Sequence, residues 1–580
     1  MRKHLTSLVV AAFAAALVSA AVPAAAPAAV GSGDARYAAL AQTIFFAGFR
    51  KSPSSATDSG LHTYDTKLDD MSAAAIRRRL EVEKGMIARV RAIDPKTLSP
   101  EVAIDRTMLI YSLMDDQLQF GTQATWRHNP DLYTGLASGA VFSLVARKFA
   151  APEVRMRDTI ARENALPQLF RQARANLRTV DAATREISIQ DATGSIGFFA
   201  KTVPEAFASV TDPALKMQMA ASTAAAVNAL NGYVAFIKTI KPSGTYAIGA
   251  AAYRARLKYE DSLDVPVSQY LAYGQRALAA THAQFVATAK AIDRNKTPQQ
   301  VYASLAKVHP APDKLLATAT EDLARLRAFV IGHHIVTLPA EANITVVETP
   351  AFERAFITAQ MSAPGPLENV ATQAYYNVTP VDPAWPKARQ EGFLAQFNDY
   401  QRPIISLHEV YPGHFANFII DKHLKLSLTR KLIWNVAFGE GWAHYSEQMM
   451  VDQGWGNGDP RVRLAQLSAA LLRECRYVAG VKLHTAGWTL KQSQQLFTNS
   501  CFQTPAVALE ETMRGTQDPM YGYYTLGKMM ILKLRADYKK KMGAAYSLQK
   551  FHDALLAHGD PPVPLLRALL LGASDDGRPL

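Results

Sequence analysis

The chain has 580 residues, of which 49% are hydrophobic and 19% charged, and its formal net charge is +13. This ordinary globular composition, on a chain long enough for a large core or for two or three modules, excludes a disordered or fibrous protein. The basic residues are spread along the chain without interleaved aromatic residues, so the charge predicts solvated helix faces and no nucleic-acid partner.

The N-terminus has the pattern of a secretory leader. Two basic residues precede an apolar run over residues 5–17, and small residues at 18–20 suit a signal peptidase. The run is too short for a membrane span, and no cysteine lies near it to carry a lipid. We therefore expect a signal peptide over residues 1–20, a flexible mature N-terminus over 21–33, and a periplasmic or secreted protein without a stable membrane anchor.

Hydrophobic periodicity predicts a mainly α fold with a small β-sheet. Apolar residues recur at helical spacing through residues 34–340 and again through 391–580. Between them, residues 341–390 are rich in proline, and two short β-branched or aromatic runs at 343–348 and 374–378 predict strands. The second strand, around Tyr375–Val378, is predicted to be an edge strand that could pair with an extended peptide.

The most informative segment is L-H-E-V-Y-P-G-H-F, residues 407–415. In H-E-x-x-H zinc sites, two histidines four residues apart on a helix bind the metal, and the glutamate activates water. Here His408 and His414 are six residues apart, with Glu409 as the predicted general base. A straight helix would place the histidines on different faces. Both can be ligands only if Pro412 and Gly413 break or bulge the helix.

A second segment, G-E-G-W-A-H-Y-S-E at residues 439–447, supplies the missing acid. Glu440 is the predicted third metal ligand. Glu447, two helical turns later, is predicted to hold a histidine ring by its free N–H. His444 is a rival ligand, and Trp442 is interpreted as packing. One zinc ion is the expected cofactor, since two histidines and a glutamate favour it.

With these motifs in place, the chain resembles the bacterial DUF885 family, whose hallmarks are H-E-x-x-P-G-H and G-E-G-W-A and which is grouped with gluzincin-like metallopeptidases. The resemblance covers nearly all of the mature chain and implies one catalytic domain over residues 34–580, with a large helical zincin-like fold, a sheet beside the active-site helix and a deep cleft. It includes an opening pattern around Pro53–Ser72, in which His62 is interpreted as structural.

The family's later segments match at Arg476, His484, Arg514 and Tyr524. Similarity to helical zinc carboxypeptidases implies that His484 or Tyr524 stabilises the oxyanion. Arg476 and Arg514 are candidates for binding a substrate carboxylate, or else for ion pairs with Glu447 or Glu511.

This chain departs from the family pattern at two places. Gly480 stands where the family usually has Asp, and the stretch after Pro519 is one residue shorter. Tyr521 and Tyr523 therefore rival Tyr524. The two cysteines, Cys475 and Cys501, can form one disulfide or remain as two buried thiols.

The expected function is an exported zinc peptidase that acts on short peptides or small amides, more as a carboxypeptidase or dipeptidase than as an endopeptidase. Two alternatives remain open: an inactive peptide- or partner-binding pseudoenzyme, and a zinc amidase or esterase on a non-peptide substrate. Intact Glu409 argues against the pseudoenzyme. The sequence leaves the cleavage position and the oligomeric state open.

Overall fold

The structure, a computed structural model, describes residues 32–350, 354 and 358–580. The predicted signal peptide and most of the predicted flexible N-terminus lie outside these residues, but Ser32 and Gly33 already belong to the first helix. The described part is mainly helical with a three-stranded sheet, which confirms the predicted fold class at this level.

The first half of the chain is helical from residue 32 to residue 332. Its helices are α1 (Ser32–Lys51), α2 (Pro53–Asp58), α3 (Ala73–Arg91), α4 (Pro100–Asp116), α5 (Asp131–Val145), α6 (Pro152–Asn176), α7 (Ala182–Gly197), α8 (Val203–Ala206), α9 (Pro213–Thr239), α10 (Gly249–Asp261), α11 (Val267–Ile292), α12 (Pro298–Leu305) and α13 (Leu315–Gly332). Helices α5, α6, α7 and α9 share one apolar core. Within the described ranges, α9 is the one helix long and apolar enough to cross a membrane, and its buried face packs in that core.

Three short strands lie between the two helical regions: β1 (Thr345–Glu348), β2 (Ala359–Ser362) and β3 (Tyr375–Val378). Strand β3 lies in the middle, parallel to β1 and antiparallel to β2. The prediction that Tyr375–Val378 is an edge strand is therefore wrong, because both of its sides are already paired. The edge strands are β1 and β2. The sequence did not predict β2, since Ala-Gln-Met-Ser has little β propensity.

The second helical region carries the histidine motif. Its helices are α14 (Lys387–Gln396), α15 (Gln401–Glu409), α16 (His414–His423), α17 (Leu428–Leu432), α18 (Val436–Asp452), α19 (Pro460–Thr485), α20 (Leu490–Ser500), α21 (Pro505–Gln517), α22 (Tyr523–Met542), α23 (Leu548–Leu556) and α24 (Val563–Leu571). Helix α18 packs along α22, and α11 packs along α19. A disulfide joins Cys475 of α19 to Cys501 at the end of α20, which answers the question that the sequence left open.

Candidate metal centre

The helix of the histidine motif is broken where the sequence required it. Helix α15 ends at Glu409 and α16 begins at His414, with a cis peptide bond between Tyr411 and Pro412. A Cβ atom on Gly413 would lie only 1.8 Å from the carbonyl oxygen of His408, so glycine alone permits this close return of the chain. The required break at Pro412-Gly413 is confirmed.

The second motif holds this break in place. The buried indole of Trp442 donates a hydrogen bond to the carbonyl oxygen of Pro412 at 2.8 Å. Helix α15 is anchored at its other end by the buried Arg402, which donates to Asp322 of α13 at 2.7 Å. Both ends of the histidine-bearing segment are thus fixed by hydrogen bonds to neighbouring helices.

The two histidines and Glu440 converge on one point. The Oε2 atom of Glu440 lies 3.3 Å from Nε2 of His408 and 3.4 Å from Nε2 of His414. Ligands of a tetrahedral zinc ion, each bound at 2.0–2.1 Å, are separated by about 3.3 Å. The Glu440 oxygen is buried and makes no hydrogen bond within the described residues. An orphaned carboxylate oxygen at this spacing from two imidazoles fits a single metal ion.

Glu409 lies at the same centre. One carboxylate oxygen of Glu409, one ring nitrogen of His408 and one ring nitrogen of His414 all lie within 4.8 Å of one another. Its Oε2 atom accepts a hydrogen bond from the backbone N–H of Met361, in β2, at 2.8 Å. The edge strand therefore orients the predicted general base.

Glu447 lies behind His408, as predicted. Its Oε1 atom accepts from Nδ1 of His408 at 2.7 Å, and its Oε2 atom accepts from Nδ1 of His444 at 3.2 Å. A carboxylate on Nδ1 directs Nε2 of His408 towards the metal position. Burial alone would lower the pKa of His408, but the neighbouring carboxylates of Glu440 and Glu447 outweigh it and raise the pKa to about 9.

The rival ligand His444 is not part of this centre. Its ring is fully buried, does not line the site cavity, and faces Glu447 through Nδ1. Burial lowers its pKa to about 3, so it remains neutral behind the glutamate.

The metal centre opens into a cavity of about 450 Å³. Strand β2 contributes Gln360 and Met361, and α19 contributes Arg473. The Nη2 atom of Arg473 lies 3.2 Å from Glu447 Oε1. Arg473 was not predicted from the sequence, whereas Arg476, on the next turn of α19, was. The spacing could have indicated Arg473, because residues three apart share a helix face.

Of the three rival tyrosines, Tyr524 lines the cavity. Its ring centroid lies 6.4 Å from that of His408, and the guanidinium of Arg473 lies 5.2 Å from its ring. Tyr521 is fully buried, with its hydroxyl directed at a backbone carbonyl, and Tyr523 accepts a hydrogen bond from Arg514 at 3.1 Å. The assignment of Tyr524 among the three agrees with the geometry.

Close packing of two glycines brings Tyr524 to the metal centre. A Cβ atom on Gly441 would lie 2.5 Å from the Cα atom of Gly527, and one on Gly527 would lie 1.6 Å from the carbonyl oxygen of Ala437. These glycines belong to the G-E-G-W-A and Y-x-x-G motifs. They let α18 and α22 approach closely, so the two motifs form one structural unit.

The other predicted site residues do not line the cavity. His484 is buried, with Nε2 2.7 Å from the carbonyl oxygen of Gly515, and burial lowers its pKa to about 4. Its predicted role at the oxyanion is wrong, because it does not reach the site. Arg476 makes a two-pronged ion pair with Glu511 at 2.6 and 2.7 Å, and Arg514 bonds Tyr523. For Arg476 this confirms the predicted alternative of an ion pair with Glu511. Neither arginine lines the cavity, but the guanidinium of Arg476 lies 5.4 Å from the ring of Tyr524, so binding of a substrate carboxylate stays a prediction.

The two departures from the family pattern touch each other. A Cβ atom on Gly480 would lie 2.8 Å from the carbonyl oxygen of Pro519 and 3.1 Å from the ring of Tyr521. An aspartate has no room there. The shorter stretch after Pro519 and the glycine at 480 therefore compensate for each other, and Tyr524 still reaches the cavity.

Comparisons with known proteins agree on the family and the fold. A family model described as "Bacterial protein of unknown function (DUF885)" matches residues 53–570. No curated protein matches the chain.

Two solved structures share the fold. A "putative lipoprotein of unknown function" from Shewanella oneidensis has a TM-score of 0.80 at 24% identity and covers 92% of this chain and 99% of its own. A "putative lipoprotein" from Colwellia psychrerythraea has a TM-score of 0.77 at 17% identity, with 94% and 100% covered. At these identities the likeness shows the fold alone.

Proposed function

This chain belongs to the DUF885 family, and we propose that it is an exported zinc-dependent peptidase of the gluzincin-like type that cleaves short peptides. One observation carries the proposal: the buried Oε2 atom of Glu440 lies at tetrahedral ligand spacing from two imidazole nitrogens and has no hydrogen bond of its own within the described residues. If this were a simple ion pair, a protonated histidine would donate a hydrogen bond to this oxygen and satisfy it.

His408, His414 and Glu440 would hold the zinc ion, and Glu447 would fix the tautomer of His408. When bound, zinc would polarise the carbonyl group of the substrate and increase the acidity of the attacking water. Two histidines and one glutamate form the ligand set of catalytic zinc sites that keep a fourth position open.

Glu409 would act as the general base and then as the general acid. Its carboxylate is held by the Met361 N–H and faces the same centre as the two histidines. It would take a proton from the attacking water and deliver it to the leaving amine, a role worth about 10²–10⁴-fold in rate.

Tyr524 would donate a hydrogen bond to the oxygen that gains negative charge in the transition state. A well-placed donor of this kind contributes about 3–4 kcal/mol. The guanidinium of Arg473, 5.2 Å from the Tyr524 ring, adds positive charge on the same side of the cavity. The guanidinium of Arg476 lies 5.4 Å from the same ring, outside the lining of the cavity.

The substrate would bind in an extended conformation along β2. Antiparallel pairing with β3 leaves the opposite edge of β2 facing the cavity, where the Met361 N–H already points at Glu409. Main-chain pairing at this edge favours a peptide over a non-peptide amide or ester. Export rests on the leader pattern, and both structural neighbours carry the word lipoprotein in their descriptions.

The test combines metal analysis with digestion of a defined mixture of short peptides. We expect one zinc per chain in both the wild type and Glu409→Gln, with cleavage reduced about 10²–10⁴-fold in the variant. The exposed Glu510→Gln, on α21, makes the same chemical change outside the cavity and should cleave normally. Product masses distinguish carboxypeptidase, dipeptidase and endopeptidase action.

Two outcomes contradict the proposal. Wild-type protein that binds no zinc removes the metal centre. If zinc-loaded wild type and zinc-loaded Glu409→Gln both leave every peptide intact, the protein is a binding protein or acts on a non-peptide substrate.

A further inference from the structure

A second cavity adjoins the metal centre. It has a volume of about 470 Å³ and shares Met361, His414 and Trp434 with the cavity that contains Glu409. Its walls include apolar residues such as Phe418 and Leu426. Because these three residues line both cavities, the second cavity lies directly beside the candidate metal centre.

Helix α16 carries polar groups from the metal centre into this cavity. Asn417 and Asp421 follow His414 by three and seven residues, so all three share one helix face. Two helical turns place Asp421 about 10 Å from His414 along the helix. That distance matches about three residues of an extended peptide, or the length of one long side chain next to the scissile bond.

Two acceptor atoms at this end of the cavity have no donor in the described structure, while Asp560 accepts hydrogen bonds from Asn417 and Trp434. The amide nitrogen of Asn417 donates to Oδ1 of Asp560 at 2.7 Å. The Oδ1 atoms of Asn417 and Asp421 are both buried, and neither has a hydrogen-bond partner in the part of the chain that the structure describes. Asn417 is only 4% exposed and Asp560 only 7%. Buried acceptors of this kind require a donor, and the described residues supply none to the Oδ1 atoms of Asn417 and Asp421.

The nearby cations do not neutralise this pair of carboxylates. Arg430, which lines the same cavity, is bound by Asp105 and by Glu101 at 2.9 Å. No ion pair to Asp421 or Asp560 is formed within the described residues, although exposed lysines lie at the rim. Burial raises the pKa of both carboxyl groups, and Asp560 raises that of Asp421 further, so the empty cavity favours a protonated Asp421 and a bound cation would take the place of that proton.

An aromatic wall stands at the entrance. Trp434 is 51% exposed. A Cβ atom on Gly439, in α18, would lie 2.4 Å from its ring, so the indole can pack there only because this residue is a glycine. The face of an indole attracts cations. Trp434 also borders a further cavity, of about 510 Å³, whose acidic side chains include Asp115, Glu260 and Asp261.

We propose that the cavity of Asn417, Asp421 and Asp560 is a subsite for a cationic nitrogen group of the substrate, an ammonium or a guanidinium. The inference rests on the proposed peptidase function and names its substrate class: peptides with a basic side chain, or a free amino terminus, about 10 Å from the scissile bond. An inorganic cation fits less well, because the cavity is far larger than one ion and has apolar walls.

The test uses matched peptides. One series places lysine or norleucine at successive positions, and a second compares free with acetylated amino termini. In the wild type we expect kcat/KM to be at least about tenfold higher for the lysine or the free-amine peptide at one position, since a buried polar site rejects a ligand that leaves it unpaired. The position identifies the source of the cation. In Asp421→Asn this ratio should fall towards one.

Asp313→Asn serves as the matched control, because Asp313 is 71% exposed and lies outside the cavity. It should preserve the ratio. Equal cleavage of all pairs by the wild type would overturn the subsite and leave the peptidase function standing. The subsite would also be overturned if Asp421→Asn kept the full preference for the cationic peptide. The same holds if the preference appeared only after calcium or magnesium was added.

Binding to zinc-loaded Glu409→Gln separates the two proposals. The same preference for the cationic peptide, lost in the Asp421→Asn/Glu409→Gln double variant, would support the subsite even if no peptide is cleaved. Equal binding of both members of every pair would overturn it, independently of any result on catalysis.

Discussion

His62 and His408 each lie between two carboxylates, and only His408 belongs to the candidate metal centre. His62 contacts Asp65 through Nδ1 at 2.9 Å and Glu368 through Nε2 at 3.0 Å. His408 contacts Glu447 through Nδ1 at 2.7 Å and lies 3.3 Å from Glu440 through Nε2. By residue type alone the two arrangements are the same.

The outer carboxylate makes the difference. Glu368 accepts from His62 and from the backbone N–H groups of Val370 and Ala371, so hydrogen bonds satisfy it. Glu440 has a second imidazole at 3.4 Å and an oxygen with no hydrogen bond in the described structure. A histidine beside carboxylates is thus a structural clamp when every lone pair is used. It becomes a candidate ligand when a second histidine and an unsatisfied oxygen face the same point.

The largest expected effect comes from removing the unsatisfied carboxylate. Glu440→Gln should abolish stoichiometric zinc binding and all peptide cleavage, because the neutral amide is a poor ligand and leaves two histidines to hold the ion. Glu368→Gln removes a carboxylate from the other histidine and should leave the zinc content at one per chain. Metal analysis after dialysis measures both.

Comparable zinc loss in both variants would break the distinction between the clamp and the metal centre. Full zinc content in Glu440→Gln would remove Glu440 from the ligand set and leave the spacing of its oxygen unexplained.

A smaller effect is expected behind the metal ligands. Glu447→Gln keeps the shape of the side chain but loses the charge that His408 Nδ1 and Arg473 contact. Loss of such a supporting carboxylate weakens metal binding by about 10–100-fold. The zinc affinity, measured by competition with a chelator, should fall in this range while the ligand number stays the same. An unchanged affinity would mean that Glu447 only fills space.

The sequence predicted those features that depend on local chemistry. The break between α15 and α16 follows from Pro412 and Gly413, whose backbone limits act wherever they stand. Glu440 and Glu447 follow from their spacing on one helix. The same reasoning predicted that the two halves of the chain are helical, because hydrophobic periodicity is also a local property.

The features that were missed depend on tertiary contacts. Strand β2 takes its conformation from pairing with β3, and the sequence Ala-Gln-Met-Ser does not by itself indicate a strand. Arg473 and Arg476 share one face of α19, and their tertiary partners distinguish them: Arg473 contacts Glu447 at the cavity, whereas Arg476 is paired with Glu511. His484 matches a family segment, yet it bonds a backbone carbonyl. A match to a family segment does not distinguish a structural role of a residue from a catalytic one.

The smallest expected effect concerns the clamp, and it is a matter of pH. Burial disfavours charged His62, but hydrogen bonds and charge from Asp65 and Glu368 outweigh this and raise its pKa above the usual 6.5. The stabilisation from charged His62 is therefore fully present below about pH 6.5 and is lost as pH rises through the raised pKa. His62→Gln should lower the free energy of unfolding by about 1–3 kcal/mol at pH 6 and by clearly less at pH 9.

The clamp also has a structural consequence that this variant isolates. Glu368 lies in the loop after β2, and a Cβ atom on Gly60 would lie 2.3 Å from its backbone nitrogen, so the opening segment of the chain packs directly on that loop. Zinc content should be unchanged in His62→Gln at both pH values. Equal destabilisation at pH 6 and pH 9 would show that His62 acts by its stacking on Phe149, with ring centroids 3.7 Å apart, and not by its charge. Zinc loss in His62→Gln would mean that the opening segment supports the metal centre through β2 and the Met361 N–H.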